Sequence, residues 1–169
     1  MFYHADIKGA FLTGKRMEVL RAIVEKKGRE AITVVTTMDA FLDGLPSKEE
    51  LCGNRIKIHA EEALDFQKLQ ENLSILGYER ENQVESPGQF AVRGGILDVF
   101  PLTEENPVRI ELRGDEVDSI RSFDVESQRS TENLQEIEIY PATENWKQME
   151  TESFLAYFPV KETILFLDE

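Results

Sequence analysis

Few residues of this chain are arranged for chemistry, and one arrangement stands apart. Arg93-Gly94-Gly95 interrupts two runs that read as buried strand, Gln89-Phe90-Ala91-Val92 before it and Ile96-Leu97-Asp98-Val99-Phe100 after it. Glycines at such a place open the backbone to close approach, or to a bulge that re-aims a side chain. Arginine there is a planar fork that pairs bidentately with carboxylates and sheds water more readily than lysine, which suits it to interfaces. Between Pro87 and Ser130 every basic residue is an arginine: Arg93, Arg109, Arg113, Arg121 and Arg129. Period two puts Arg109, Glu111 and Arg113 on one face, opposite Val108, Ile110 and Leu112, where a hairpin would bring acids from the next strand alongside. Arg109, Arg113 and Arg121 therefore have two readings, pairing inside the sheet or contact with a partner. Arg93, beside Gly94 and Gly95, reads as displayed. Phe90 and Phe100 are the apolar alternatives for the same contact.

The other chemical candidates are weaker. Thr13-Gly14-Lys15-Arg16 has a Gly-Lys pair and an earlier Gly9, but a phosphate-binding loop needs Ser or Thr after the lysine and a strand before it. Arg16 fills that position, so the stretch reads as an exposed helix start. His4 and His59 lie far apart and read as surface strand or turn residues; with Cys52 they are too few for a zinc site. Asp115, Glu116 and Asp118 could hold magnesium, although such a run also describes a solvated turn. No element supports nucleophilic catalysis.

Positioning these residues needs a folded scaffold, and the composition supplies one. The chain has 169 residues, 41% of them hydrophobic, and a net charge of -14, which argues against a dominant contact with phosphate backbone. Residues 1–60 hold 10 basic and 8 acidic residues, and residues 61–169 hold 9 and 25, so two regions with different surfaces are expected. The single cysteine leaves no intrachain disulfide, no apolar run is long enough to span a bilayer, and a cytoplasmic setting without membrane contact is expected. Apolar spacing predicts a helix from about Lys15 to Lys27, with Gly28 as its stop. It then predicts a β-branched run from Ile32 to Val35 and a short helix through Ala40 to Leu42 capped by Thr36 or Thr37. "NRIKIHA" alternates as a strand, and "EEALDFQKLQENLSILGY" carries Leu64, Leu69, Leu73 and Leu76 on a helix ended by Gly77. "QFAVRGGILDVFP", "PVRIELRGDEVDSIRSFD" and "LQEIEIYP" read as consecutive strands, the last set off by a polar stretch around Ser130. "TILFLDE" at Thr163–Glu169 resembles a central strand of a parallel sheet, which suggests a piece of something longer.

The run "GQFAVRGGILDVFPLTEENPVRIELRGDEVDSIRSFDVESQRS", followed by "IEIYPATE", closely resembles the amino-terminal UvrB-homology region of the bacterial transcription-repair coupling factor family, and the upstream "YHADIKGAFLTGKRMEVLRAIVEKKGREAITVVTTMDAFLDGLP" is similar to the α/β segment before it. The resemblance implies a domain that recruits the excision-repair protein UvrA, with Arg93 as a principal contact and Ala91 where UvrB often carries a second arginine. It implies no cofactor in this region; ATP and magnesium belong to the motor of the longer protein, as do the contacts with RNA polymerase and DNA.

The expectation is an α+β protein without catalytic activity. A UvrB domain-2-like mixed α/β module with a hairpin-rich antiparallel sheet would occupy residues 61–144, as the UvrA-interaction domain. A partial UvrB domain-1-like α/β part would comprise residues 1–60 and 145–169. The expected UvrA-binding residues are Arg93, Phe90, Gly94, Gly95, Phe100, Arg109 and Arg113. The equivalent region of the helicase UvrB, or a nucleic-acid-binding module, are the alternatives.

Overall fold

The computed structural model describes residues 3–25, 31–142 and 151–164. Helix α1 (Tyr3–Val24) is followed by two short helices, α2 (Met38–Leu42) and α3 (Lys48–Gly53). Strand β1 (Ile56–His59) and helix α4 (Phe66–Ile75) lead into β2 (Glu79–Arg80), β3 (Gln89–Arg93), β4 (Ile96–Val99), β5 (Val108–Arg113), β6 (Glu116–Phe123), β7 (Ser130–Leu134) and β8 (Glu136–Ile139). Short 3-10 turns at Phe154–Tyr157 and Val160–Glu162 close the described chain.

Local chemistry sets the helix ends. The Thr37 hydroxyl accepts from the Ala40 N–H at 3.3 Å, and Ser47 and Glu50 form a reciprocal capping box on α3. Asp65 caps α4 through the Lys68 N–H at 2.9 Å. At the other end of α4, Gly77 takes φ +87°, and the Tyr78 and Gly77 N–H groups reach back to the Leu73 and Ser74 carbonyls at 2.9 and 3.1 Å. That is the Schellman arrangement, which ends the helix and turns the chain toward the sheet.

Strands β2 to β7 form one sheet in sequence order; β2 and β3 are parallel and every later pair is antiparallel. Leu69 and Leu73 of α4 and its C-cap Leu76 share a core with Phe90, Leu97, Val99, Val108, Ile110, Val117 and Ile120 from one face of the sheet. β1 and β8 pair as a separate antiparallel ribbon, Ile56 opposite Ile139, and Ile58 and Ile137 join the same core. A second core gathers Met17, Leu20 and Ile23 of α1 with Leu45, Leu51, Tyr140, Phe154 and Tyr157.

Several expectations change. The first helix begins at Tyr3 rather than near Lys15, so Thr13-Gly14-Lys15-Arg16 lies within it and is not an exposed start. Thr13 is buried there, and a Cβ on Gly14 would stand 3.1 Å from the Leu102 carbonyl oxygen, a close approach that only glycine allows comfortably. Ile32 to Val35 are extended but not a strand: among the described residues no other strand pairs with them, and Val35 is 93% exposed. The stretch around Ser130, expected as a separator, is itself β7, held to β6 with Ser122 and Thr131 hydroxyls 2.8 Å apart. "LQEIEIYP" accordingly divides, Leu134 ending β7 and Glu136 starting β8 in the other sheet. β1, placed before residue 61, bonds to β8 within the later part of the chain. Gly28 and most of the Thr163–Glu169 run lie outside the described residues.

The helix face makes a clean contrast. Leu73 is fully buried between α4 and the sheet, while Ile75, two residues on, is 79% exposed. Leu73→Ala should cost about 2–5 kcal/mol and Ile75→Ala less than about 0.5 kcal/mol, read from urea unfolding midpoints. Equal losses would contradict the packing.

Candidate functional site

Strands β3 and β4 form a two-residue hairpin in which Arg93 stands opposite Ile96. Gly94, the first turn residue, has φ +61° and Gly95 does not share that sign, the pattern of a type II′ turn, which matches the twist of paired strands. Gly95 has a second constraint: its carbonyl accepts from the Leu112 N–H at 2.9 Å, and a Cβ on it would lie 3.2 Å from the Leu112 oxygen. The glycines are thus explained by the turn and by the approach of β5, with the open space beside Gly94 as a by-product.

Behind this tip, the sheet face opposite the α4 core carries a polar row beside a small apolar cluster of Val84, Ala91 and Phe100. Ala91, Asp98, Arg109, Arg121 and Asn133 lie in one cross-strand row. The Asp98 side chain is 2% exposed and receives three arginine N–H groups. Arg109 donates Nε to Oδ1 at 2.7 Å and Nη2 to Oδ2 at 2.9 Å, and Arg93 donates Nη2 to Oδ2 at 2.7 Å. A bidentate, charge-assisted pair of this kind is the arrangement that makes a buried carboxylate tolerable. Arg109 is fixed in turn: its guanidinium lies 4.5 Å from the centre of the Phe123 ring and reaches Gln128 Oε1 at 3.4 Å. The Asp98 hydrogen bonds raise the Arg109 pKa further, against the effect of its own burial.

The expected residues divide sharply. Arg93 is the half-exposed member, with 51% of its side chain in solvent, and Asp98 is its hydrogen-bond partner among the described residues. Arg109 is only 16% exposed and committed inward. Arg113 is 83% exposed and pairs with Asp118 at 2.7 Å across its own hairpin, and Arg121 pairs with Glu111. Pairing within the sheet therefore describes Arg109, Arg113 and Arg121. Phe90 and Phe100, offered as apolar contacts, are both buried, Phe90 under α4 and Phe100 with Val84 and Ala91 on the other side, so their place is to support the strands.

Asp98, Phe123 and Gln128 were missed. An isolated acid in the apolar run Ile96–Phe100, at a strand position facing the arginine row, was the available signal. Among the described residues no group of three or more His, Cys, Asp or Glu could hold a metal ion. His4 falls within α1 rather than a strand or turn, His59 sits in β1 with Nδ1 3.2 Å from Glu136, and Cys52 is a partly exposed free thiol. No helix among the described residues is long and apolar enough to cross a membrane.

Comparison with known proteins adds a family. A model of the UvrB interaction domain matches residues 56–145, from the first residue of β1 to just past β8. The chain is 42% identical over 133 residues to the transcription-repair-coupling factor of Bacillus subtilis (strain 168), covering 79% of this chain and 11% of that protein. Transcription-repair-coupling factors of Staphylococcus aureus strains bovine RF122 / ET3-1 and MRSA252 are 37% and 36% identical over the same share of each chain. The chain spans about 11% of the length of these curated relatives.

The three-way contact predicts unequal stability effects. Asp98→Ala strands the mostly buried Arg109 and should cost about 3 kcal/mol, near the low end for a broken buried pair because Phe123 and Gln128 remain. Arg93→Ala leaves the bidentate Arg109 pair intact and should cost under about 1 kcal/mol. Thermal melts of the two variants check the order, and a larger loss for Arg93→Ala would overturn it.

Proposed function

The chain belongs to the UvrB interaction domain family, and on that premise we propose that it is a docking module through which a transcription-repair coupling factor recruits UvrA. The observation that carries the reading is Arg93. It stands at a II′ hairpin tip, half in solvent, with one of its five N–H donors used on Asp98. A fork so placed suits a carboxylate on a protein partner. The flanking Gly94 leaves room for it, with nothing within 4 Å of where a Cβ would stand. The net charge of -14 supports a protein partner over nucleic acid.

In this reading the module is cytoplasmic, catalyses nothing and holds no cofactor. RNA polymerase, DNA and ATP with magnesium are engaged by other parts of the longer protein. The burial of Thr13 and the tight seat of Gly14 against Leu102 support the absence of a phosphate loop at that Gly-Lys pair.

Binding of the purified chain to immobilised UvrA tests the proposal. Arg93→Ala should weaken it by about 2–5 kcal/mol, mostly by leaving a partner carboxylate buried without its cation. Affinity should also fall as salt rises, since the Coulomb part of the contact is screened over about 8–10 Å near physiological ionic strength. Wild-type affinity in the Arg93 variant, with its fold intact, would remove that residue from the interface. Calorimetric titration with ATP and magnesium should give no saturable heat; a binding isotherm would contradict the cofactor-free reading.

A further inference from the structure

We infer that Asp98 is the positioning residue of this docking site: its buried carboxylate, anchored by Arg109, holds the Arg93 fork in the orientation in which it meets the partner. The inference rests on the reading of Arg93 as the contact residue.

The register supplies the geometry. Arg93 is opposite Ile96 and Asp98 is two residues further along β4, so the contact between them is a diagonal cross-strand pair, within reach of a long side chain. The residue directly opposite Asp98 on β3 is Ala91, whose small side chain leaves the carboxylate open to Arg93. Asp98 Oδ2 is shared, at 2.7 Å from Arg93 and 2.9 Å from Arg109, while Oδ1 is held by Arg109 alone. Arg109 cannot drift, since Phe123 lies against its guanidinium plane and Gln128 meets its Nη2. Gln128 is itself fixed, at φ +57° with its amide donating to the Val125 carbonyl at 2.7 Å.

Position is therefore passed from the Phe123 ring and the Gln128 side chain to a buried ion pair, and from there to the half-exposed Arg93. Arg109 bears on the interface through Asp98, whichever surface it also presents. An arginine held in this way has less rotational freedom to lose on binding. Restraining a side chain of this size is worth roughly two- to tenfold in affinity. The buried anchor, rather than exposed charge alone, is what distinguishes Arg93 from Arg113, whose partner Asp118 is itself 42% exposed.

The test is a double-mutant cycle on UvrA binding, using the wild type, Arg93→Ala, Asp98→Asn and the double variant, each with its melting temperature. Asp98→Asn should weaken binding roughly two- to tenfold when Arg93 is present and leave it unchanged when residue 93 is alanine. The same fold-change in both backgrounds would show that Asp98 acts through the fold, and no change in either would also overturn the inference. Wild-type affinity for Arg93→Ala would instead sink the contact reading, and this inference with it.

If Asp98→Asn does not fold, Asp98→Leu with Arg109→Met removes anchor and counter-charge together, an exchange that buried ion pairs commonly tolerate. That pair should weaken binding while Arg93 is present and have no further effect beside Arg93→Ala. In the free domain, 15N relaxation of the Arg93 Nε should show a more mobile guanidinium in the Asp98 variants. An unchanged order parameter would overturn the positioning role.

Discussion

A carboxylate with 2% of its side chain in water must be met by the protein on every side, and Asp98 obliges the surrounding sheet to do so. Arg109 has to sit directly across from it on β5, Phe123 has to lie under that guanidinium, and the 124–129 loop has to present Gln128. The loop complies through its own hydrogen bonds, Asp124 Oδ1 accepting from the Ser127 backbone at 2.8 Å and hydroxyl at 2.6 Å. Those bonds hold the Asp124 carboxyl below its ordinary pKa. Four strands and a loop thus answer to one buried negative charge.

The opposite face of the sheet obeys a different rule. There the apolar rows of β3 to β6 close over α4, with no charge in the core cluster. The two halves of the protein join at Tyr140, whose side chain belongs to the second core while its carbonyl accepts the Tyr78 phenol of the first at 2.9 Å. The Tyr140 hydroxyl donates to Glu25 of the α1 end at 2.8 Å, and burial pushes its pKa up to about 12. Nearby, burial tends to raise the Glu138 pKa, but the Lys57 hydrogen bond and the charges of Arg55 and Lys57 outweigh it and hold the group below its ordinary value. The junction is therefore built from apolar packing edged by paired charges, rather than from a continuous core.

Much of this was legible in advance, and the reasons for the rest are specific. Strands β3 to β6 and helix α4 announced themselves through strict periodicity and through glycines at turns. Ile32 to Val35 has strong β propensity, but a strand exists only where a neighbour offers hydrogen bonds, and propensity carries no information about neighbours. β7 was hidden because its side chains are nearly all exposed and polar, so it lacks the alternation that marks half-buried strands. At the site, arginine composition correctly singled out the row, yet it could not say which members were already engaged. Phe90 and Phe100 looked like candidate contacts because aromatic residues suit interfaces and cores equally well. Asp98 escaped notice because a single acid in a strand normally faces water, and only cross-strand register shows that this one faces arginines.

The β1–β8 ribbon has a mechanical meaning. Ile56, where the chain enters the interaction unit, is paired directly opposite Ile139, near where it leaves, and the two strands run antiparallel. Tension applied through the flanking chain therefore acts at the open end of the ribbon and loads its rungs one after another, as in a zipper, instead of shearing them together. The first rungs to yield lie outside the six-stranded sheet. A pull on the connections would open the Ile56–Ile139 rung before it reached Ile58 and Ile137, which share the core beneath the sheet that carries Arg93, and so would give the docking surface a short length of slack.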